Sequence, residues 1–93
     1  MVKIIWTEQA VDDLDAICLF ISRDSFHYAN IFAQKIIESI ERLQYVPLSG
    51  RIVPEFKDKQ VREIIYGSYR IIYKVKINAV EILTIHHSAQ LLF

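Results

Sequence analysis

The stretch that most constrains this chain is Val61 to His87, VREIIYGSYRIIYKVKINAVEILTIHH, which has the pattern of three antiparallel strands joined by two tight turns. Gly67-Ser68 separates two runs rich in β-branched and aromatic residues, and glycine at the first central position suits a type II′ turn, which needs a positive φ there. Such a turn dictates a register: Tyr66 opposite Tyr69, Ile65 opposite Arg70, Ile64 opposite Ile71, Glu63 opposite Ile72 and Arg62 opposite Tyr73. A four-residue connection through Lys76-Ile77-Asn78-Ala79 then sets Val75 against Val80.

Directly opposed residues share a sheet face. One face therefore carries Glu63, Arg70, Lys74, Glu81, Ile85 and His87, and the other carries Tyr66, Tyr69, Ile71, Tyr73, Ile82 and His86. The second is expected to face the core, because burying unpaired charges from the first costs roughly several kcal/mol each. Functional groups of the sheet are thus expected on the first face, where His87 lies diagonally across from Arg70 and Glu63 lies close by.

Upstream, Val2 to Trp6 alternates as a short strand and Thr7 reads as a helix N-cap. Val11, Leu14, Ile17, Cys18 and Ile21 recur at helical steps, with Glu8, Asp12, Asp13 and Asp15 read as a solvated acidic face. Asp24-Ser25 caps a second helix, with Ala29, Phe32, Ala33, Ile36, Ile37, Ile40 and Leu43 as its apolar stripe and Pro47 beyond its end. Ile52-Val53-Pro54-Glu55-Phe56 reads as an irregular or edge segment, since proline cannot serve a central strand. Ser88 to Phe93 reads as a helical turn or a tail packing back on the body. The expected fold is α+β: an N-terminal strand, an antiparallel helical hairpin, then a three-stranded antiparallel meander, β-α-α-β-β-β, with the helices on one sheet face.

A chain of 93 residues holds one domain, here residues 1–93, with room for a single modest core. It is 53% hydrophobic with two Gly and two Pro, which excludes a linker or a disordered tail. Its apolar runs fall short of a membrane span and no signal-peptide pattern opens it, so a cytoplasmic location is expected. The single cysteine, Cys18, excludes an internal disulfide and sits at a helical core position. Net charge is zero, yet residues 51–76 carry seven basic and three acidic side chains. That patch fits an acidic partner or nucleic acid as well as a merely solvated surface.

No phosphate loop, nucleophile elbow or CxxC is present, and no two histidines have the helical spacing of a metal site, so neither cofactor nor metal is expected. His27 reads as solvent-facing and His86 as partly buried. Arg70, His87 and Glu63 form the smallest set able to cleave RNA: arginine for the phosphorane charge, histidine to move a proton, glutamate as the other acid or base. The alternative is that Arg70 pairs with Glu63 or Glu81 and does no chemistry.

Four stretches, IIWTEQAVDDLDAI, AQKIIESIERLQYVPLSGR, VREIIYGSYRIIYKV and VEILTIHHSAQLL, together resemble toxins of the RelE/ParE superfamily of type II toxin–antitoxin systems over nearly the whole chain. The paired long helices and the WT-x-x-A-x-x-D-L opening are more similar to the ParE branch. The resemblance implies growth arrest and plasmid stabilisation through DNA gyrase, and a cognate antitoxin partner in a hetero-oligomer. For the RelE branch it implies a ribosome-dependent mRNA endonuclease, with Arg70 on the scissile phosphate and His87 as the C-terminal histidine. Ser88, Ala89 and Gln90 stand where basic residues often occur in both branches, which leaves a degenerate binding module as a third reading.

Overall fold

The computed structural model describes residues 1–89. Along the chain come β1 (Lys3–Trp6), α1 (Glu8–Ser22), α2 (Phe26–Glu41), a 3-10 turn (Arg42–Gln44), β2 (Arg51–Ile52), β3 (Val61–Tyr66), β4 (Tyr69–Val75) and β5 (Ala79–His87). This is the expected order of strand, helical hairpin and meander, with β2 as a short extra edge. Ser88 and Ala89 form a turn. The rest of the expected tail, Gln90 included, lies outside the described residues.

The helix starts are where the capping residues put them. The Thr7 hydroxyl accepts from the Ala10 N–H at 3.1 Å and donates to the Ile82 carbonyl at 2.7 Å, so one side chain ties the start of α1 to β5. Ser25 accepts from the Tyr28 N–H at 3.1 Å and caps α2. On α2 the residues Ala29, Phe32, Ile36 and Ile40 are buried at steps of three and four, as the stripe requires. The α1 stripe is the expected one at Leu14, Ile17, Cys18 and Ile21, which pack against the core, but at its start Ala10 is fully buried and Val11 lies exposed.

The sheet has the order β1-β5-β4-β3-β2, with β1 parallel to β5 and every other pair antiparallel. The β3–β4 register is the expected one from Arg62↔Tyr73 to Tyr66↔Tyr69, and Gly67 takes φ 57° in the turn. Val75 pairs with Val80 as expected, but the β4–β5 register then shifts. Tyr73 faces Ile82 and Ile72 faces Thr84, leaving Leu83 as an extra residue in a β-bulge.

That one residue exchanges the faces of everything after it. Ile85 comes opposite Ile71 on the helix-covered side and is buried, His86 comes opposite Arg70, and His87 comes opposite Tyr69. The expectation that Ile85 and His87 share Arg70's face while His86 faces the core is therefore corrected. The bulge is fastened by Asp13 of α1, whose carboxylate accepts from the Thr84 hydroxyl and, at 3.1 Å, from the Ile85 backbone N–H. Asp13 is thus a strand anchor and not part of a solvated face; Glu8, Asp12 and Asp15 remain exposed.

Two apolar clusters follow. The main one joins Phe32, Ile36, Ile40 and Leu43 to Ile71, Tyr73, Val80, Ile82 and Ile85. A smaller one lies on the other sheet face, where Val53 and Phe56 pack over Val61, Ile72 and Leu83. The segment after β2 is a strap across the outer face, which corrects the expectation that charge keeps this face open. Its apolar residues, Val61, Ile72 and Leu83, need cover as much as the helix-side ones do.

The two glycines predict different responses to substitution. A Cβ on Gly67 would meet nothing within 4 Å, so Gly67→Ala is expected to cost only the positive-φ strain, about 1 kcal/mol. A Cβ on Gly50 would lie 2.5 Å from the Tyr73 hydroxyl and 2.6 Å from the Glu63 carbonyl oxygen. Gly50→Ala is expected to cost about 1–3 kcal/mol and to break the Tyr73 bonds to Gly50 N–H (2.9 Å) and Pro47 O (2.8 Å). Denaturant melts of both variants check the ranking, which fails if Gly67→Ala is the more damaging.

Candidate functional site on the outer sheet face

Glu63 on β3 and Arg70 on β4 are diagonal neighbours on the strap-covered face, and Arg51 on β2 stands directly opposite Glu63. Glu63 is 1% exposed and Arg70 8% exposed. Burial of either charge alone would be prohibitive, and both are compensated by a chain of ion pairs. The Arg70 Nε donates to Glu63 Oε1 at 2.5 Å, and the Arg51 Nε donates to the other Glu63 oxygen. The far edge of the Arg70 guanidinium donates from Nη1 and Nη2 to the two oxygens of Glu55, at 2.8 and 2.9 Å. This bidentate fork is the strongest geometry for such a pair.

The electrostatics follow from these contacts. Hydrogen bonds from Arg70, and to a lesser degree the charges of Arg70 and Arg51, hold the Glu55 carboxyl down to about 2. The Glu55 pairing in turn pushes the Arg70 guanidinium further up, so it stays charged at any accessible pH. A carboxyl lowered in the folded state binds its proton more readily when unfolded, so its contribution is complete above about pH 4.5 and lost as pH falls towards 2. Glu55→Gln should remove that part of the acid dependence, leaving a flatter stability curve between those limits in pH-series thermal melts.

Of the three residues expected to act together, the structure joins two. Arg70 and Glu63 are in direct contact, whereas His87 lies on the helix side, its ring edge-on to Tyr69 at 5.2 Å. The His87 Nδ1 accepts from the Ala89 N–H at 3.0 Å, and the ring lines a cleft with Ile17, Phe20 and Ile85. The histidine opposite Arg70 is His86, displaced there by the bulge. His27 is exposed near the start of α2 beside Tyr28. Sequence reasoning missed Glu55 and Arg51 as members of the site. The signal for Glu55 was its place between Pro54 and Phe56, where an aromatic inside a polar loop marks a segment that folds back on an apolar surface.

Among the described residues no group of three His, Cys, Asp or Glu side chains is placed to hold a metal ion, and no helix is long and apolar enough to cross a membrane. Chemically the site is a buried arginine whose donors are shared between two carboxylates, with a histidine across the strand pair.

Comparison with known proteins agrees with this architecture. None of the curated proteins matches the chain. A solved structure of the chromosomal ParDE toxin–antitoxin system from P. aeruginosa is similar at 28% identity and TM-score 0.75, covering 94% of this chain and 96% of that one. The RelBE toxin–antitoxin complex from Mycobacterium tuberculosis shares the fold at 20% identity and TM-score 0.66, covering 92% and 96%. The family model described as the ParE toxin of the parDE type II toxin–antitoxin system matches residues 4–92. This chain, with its capped helical hairpin, bulged last strand and paired-charge outer face, belongs to the ParE toxin family of type II toxin–antitoxin systems.

Proposed function

We propose that this toxin arrests growth by inhibiting DNA gyrase without cleaving RNA, and that a cognate antitoxin neutralises it in the cytoplasm in the service of plasmid stabilisation. The observation that carries the reading is the state of Arg70. A ribonuclease needs that guanidinium free for a phosphate, and here its Nε, Nη1 and Nη2 all donate to Glu63 and Glu55. The histidine expected to move a proton, His87, is on the opposite sheet face. Kinship with a ParDE system supports both the antitoxin and the gyrase reading. A second reading, a ribosome-dependent mRNA endonuclease, draws support from His86 standing opposite Arg70, with Glu63 as the remaining acid or base.

Expression from a tightly controlled promoter distinguishes the two, with mRNA ends and plasmid supercoiling followed in the same cultures. Arrest with intact transcripts, altered supercoiling and DNA breaks is the expected result. Arg70→Lys, which preserves a cation beside Glu63, should change the arrest by no more than about twofold. Cleaved transcripts that vanish in Arg70→Lys would replace the gyrase reading by the nuclease one. No arrest from the wild type would leave a binding module without toxicity.

A further inference from the structure

The seven basic side chains between residues 51 and 76 divide into two groups in the folded chain. The three arginines are committed: Arg51 and Arg70 to Glu63 and Glu55, and Arg62 to the carbonyls of Leu48 and Gly50 at 3.2 and 3.0 Å. The four lysines, Lys57, Lys59, Lys74 and Lys76, gather instead at the end of the outer sheet face beside the β4–β5 turn. Lys74 faces outward opposite Glu81, and Lys76, two residues on, reaches the same Glu81 at 3.4 Å. Lys57 and Lys59 flank Asp58, which pairs with Lys74 at 3.4 Å. Their loop is held in place because the Gln60 carbonyl accepts from the Val75 N–H at 2.8 Å. Lys3 completes the group: Ile4 and Trp6 of β1 pack on the main core, so Lys3 and Ile5 alternate to the outer face, with Ile5 opposite Glu81.

Five lysines thus stand round two carboxylates on a chain whose net charge is zero. The pairs made by Asp58 and Glu81 are partly exposed and screened by water and salt, and Lys3, Lys57 and Lys59 are exposed with no ion pair among the described residues. We propose that this end of the outer face binds the phosphate backbone of duplex DNA without regard to sequence. Charge complementarity with a polyanion is the first reason. The second is composition: protein interfaces are depleted in lysine and anchored by arginine and aromatic side chains, and none of these five cations is an arginine. A single strand would need rings to stack on, and the nearest one in the chain, Phe56, packs down on the outer cluster. Lys3 and Lys76 stand on either side of Ala79, about 10 Å apart at two strand spacings, so their flexible stems reach phosphates on both sides of a minor groove roughly 6 Å wide. The choice of DNA over an RNA duplex rests on the gyrase reading, which sets the toxin against an enzyme that works on duplex DNA; the patch does not. Arg70 takes no part, and its donors stay with Glu63 and Glu55.

The test follows the fluorescence anisotropy of a short labelled DNA duplex of mixed sequence as the purified full chain is added at several salt concentrations. With the three unpaired lysines each displacing a counterion, wild-type affinity should fall about 40-fold between about 50 and about 200 mM salt. Lys3→Gln and Lys59→Gln, from two sides of the patch, should each bind more weakly and reduce that fall to about 12-fold. Lys35→Gln, which removes the same charge from α2, should keep the wild-type salt dependence; Lys35 pairs with Glu38 on the helical hairpin. No binding at about 50 mM salt would overturn the proposal, as would an equal effect of Lys35→Gln and the patch variants. Tighter binding of an RNA duplex or of polyglutamate than of DNA would also overturn it, in favour of a different partner. The two patch variants are independent, so one that fails to fold leaves the other to decide. The assay contains no gyrase: its failure leaves gyrase inhibition standing, and unaltered supercoiling in cells leaves DNA binding standing.

Discussion

Glu63→Gln is expected to lower the stability of the chain by about 3–5 kcal/mol, a large part of the total for a domain of this size. The carboxylate is 1% exposed and accepts from two arginines, one of them itself buried. An amide in its place offers its oxygen to one arginine and turns its NH2 donors towards the other, and it carries no charge, so Arg70 is left buried with only Glu55 to balance it. Glu55 sits in the strap and cannot replace a partner that is built into β3. The melting temperature should fall by roughly 15–30 °C. A loss below about 1 kcal/mol in urea unfolding would mean that the network is a surface feature and that the strap does not seal it. Replacing Glu63 and Arg70 together by apolar residues of similar volume should cost less than the single change, because no charge is then stranded.

Asp13→Ala is expected to cost about 2–4 kcal/mol, unusual for an aspartate on the acidic side of a helix. Its carboxylate receives both the Thr84 hydroxyl and the Ile85 N–H, the donors exposed where β1 has ended and β5 continues as an edge. Without it the bulge has two unmet donors and no fixed position. Asp13→Asn retains an acceptor oxygen and should lose about half as much. Amide exchange is the direct readout: Ile85 should exchange much faster in Asp13→Ala, while Ile71 and Ile82 are little changed. Uniform acceleration across the sheet would show that Asp13 serves global packing and not the bulge.

The hairpin from Arg62 to Tyr73 was legible because Gly67 allows only one economical turn, and that turn dictates every pair beside it. Both helix starts were legible from Thr7 and Ser25, whose hydroxyls satisfy donors that no helix can satisfy internally. The bulge was not, because EILTIHH alternates without glycine or proline and its extra residue is an ordinary leucine. What selects it is Asp13, seventy residues away, together with the burial of Ile85. The parallel pairing of β1 with β5 was equally hidden, since an alternating strand does not name its neighbour. For the site, Arg70 and Glu63 were visible as opposite charges on one face. Their burial was not, because the cover comes from a loop whose Val53 and Phe56 reveal their purpose only against Ile72 and Leu83.

Leu83 makes the last strand behave as a parity switch. Upstream of it, even-numbered residues of β5 such as Val80 and Ile82 belong to the helices; downstream, the odd-numbered ones do, Ile85 and His87 among them. Pairing Leu83 with Ile72 in place of Thr84 would restore simple alternation and bring His87 round to Arg70's side without any change in side-chain chemistry. Which histidine accompanies the arginine is therefore decided by whether one residue is bulged out of the ladder or paired within it. Two proteins sharing this fold could carry the same residues near the end of the chain yet present opposite faces of them to a partner, so aligning their sequences without gaps would equate residues that point in opposite directions.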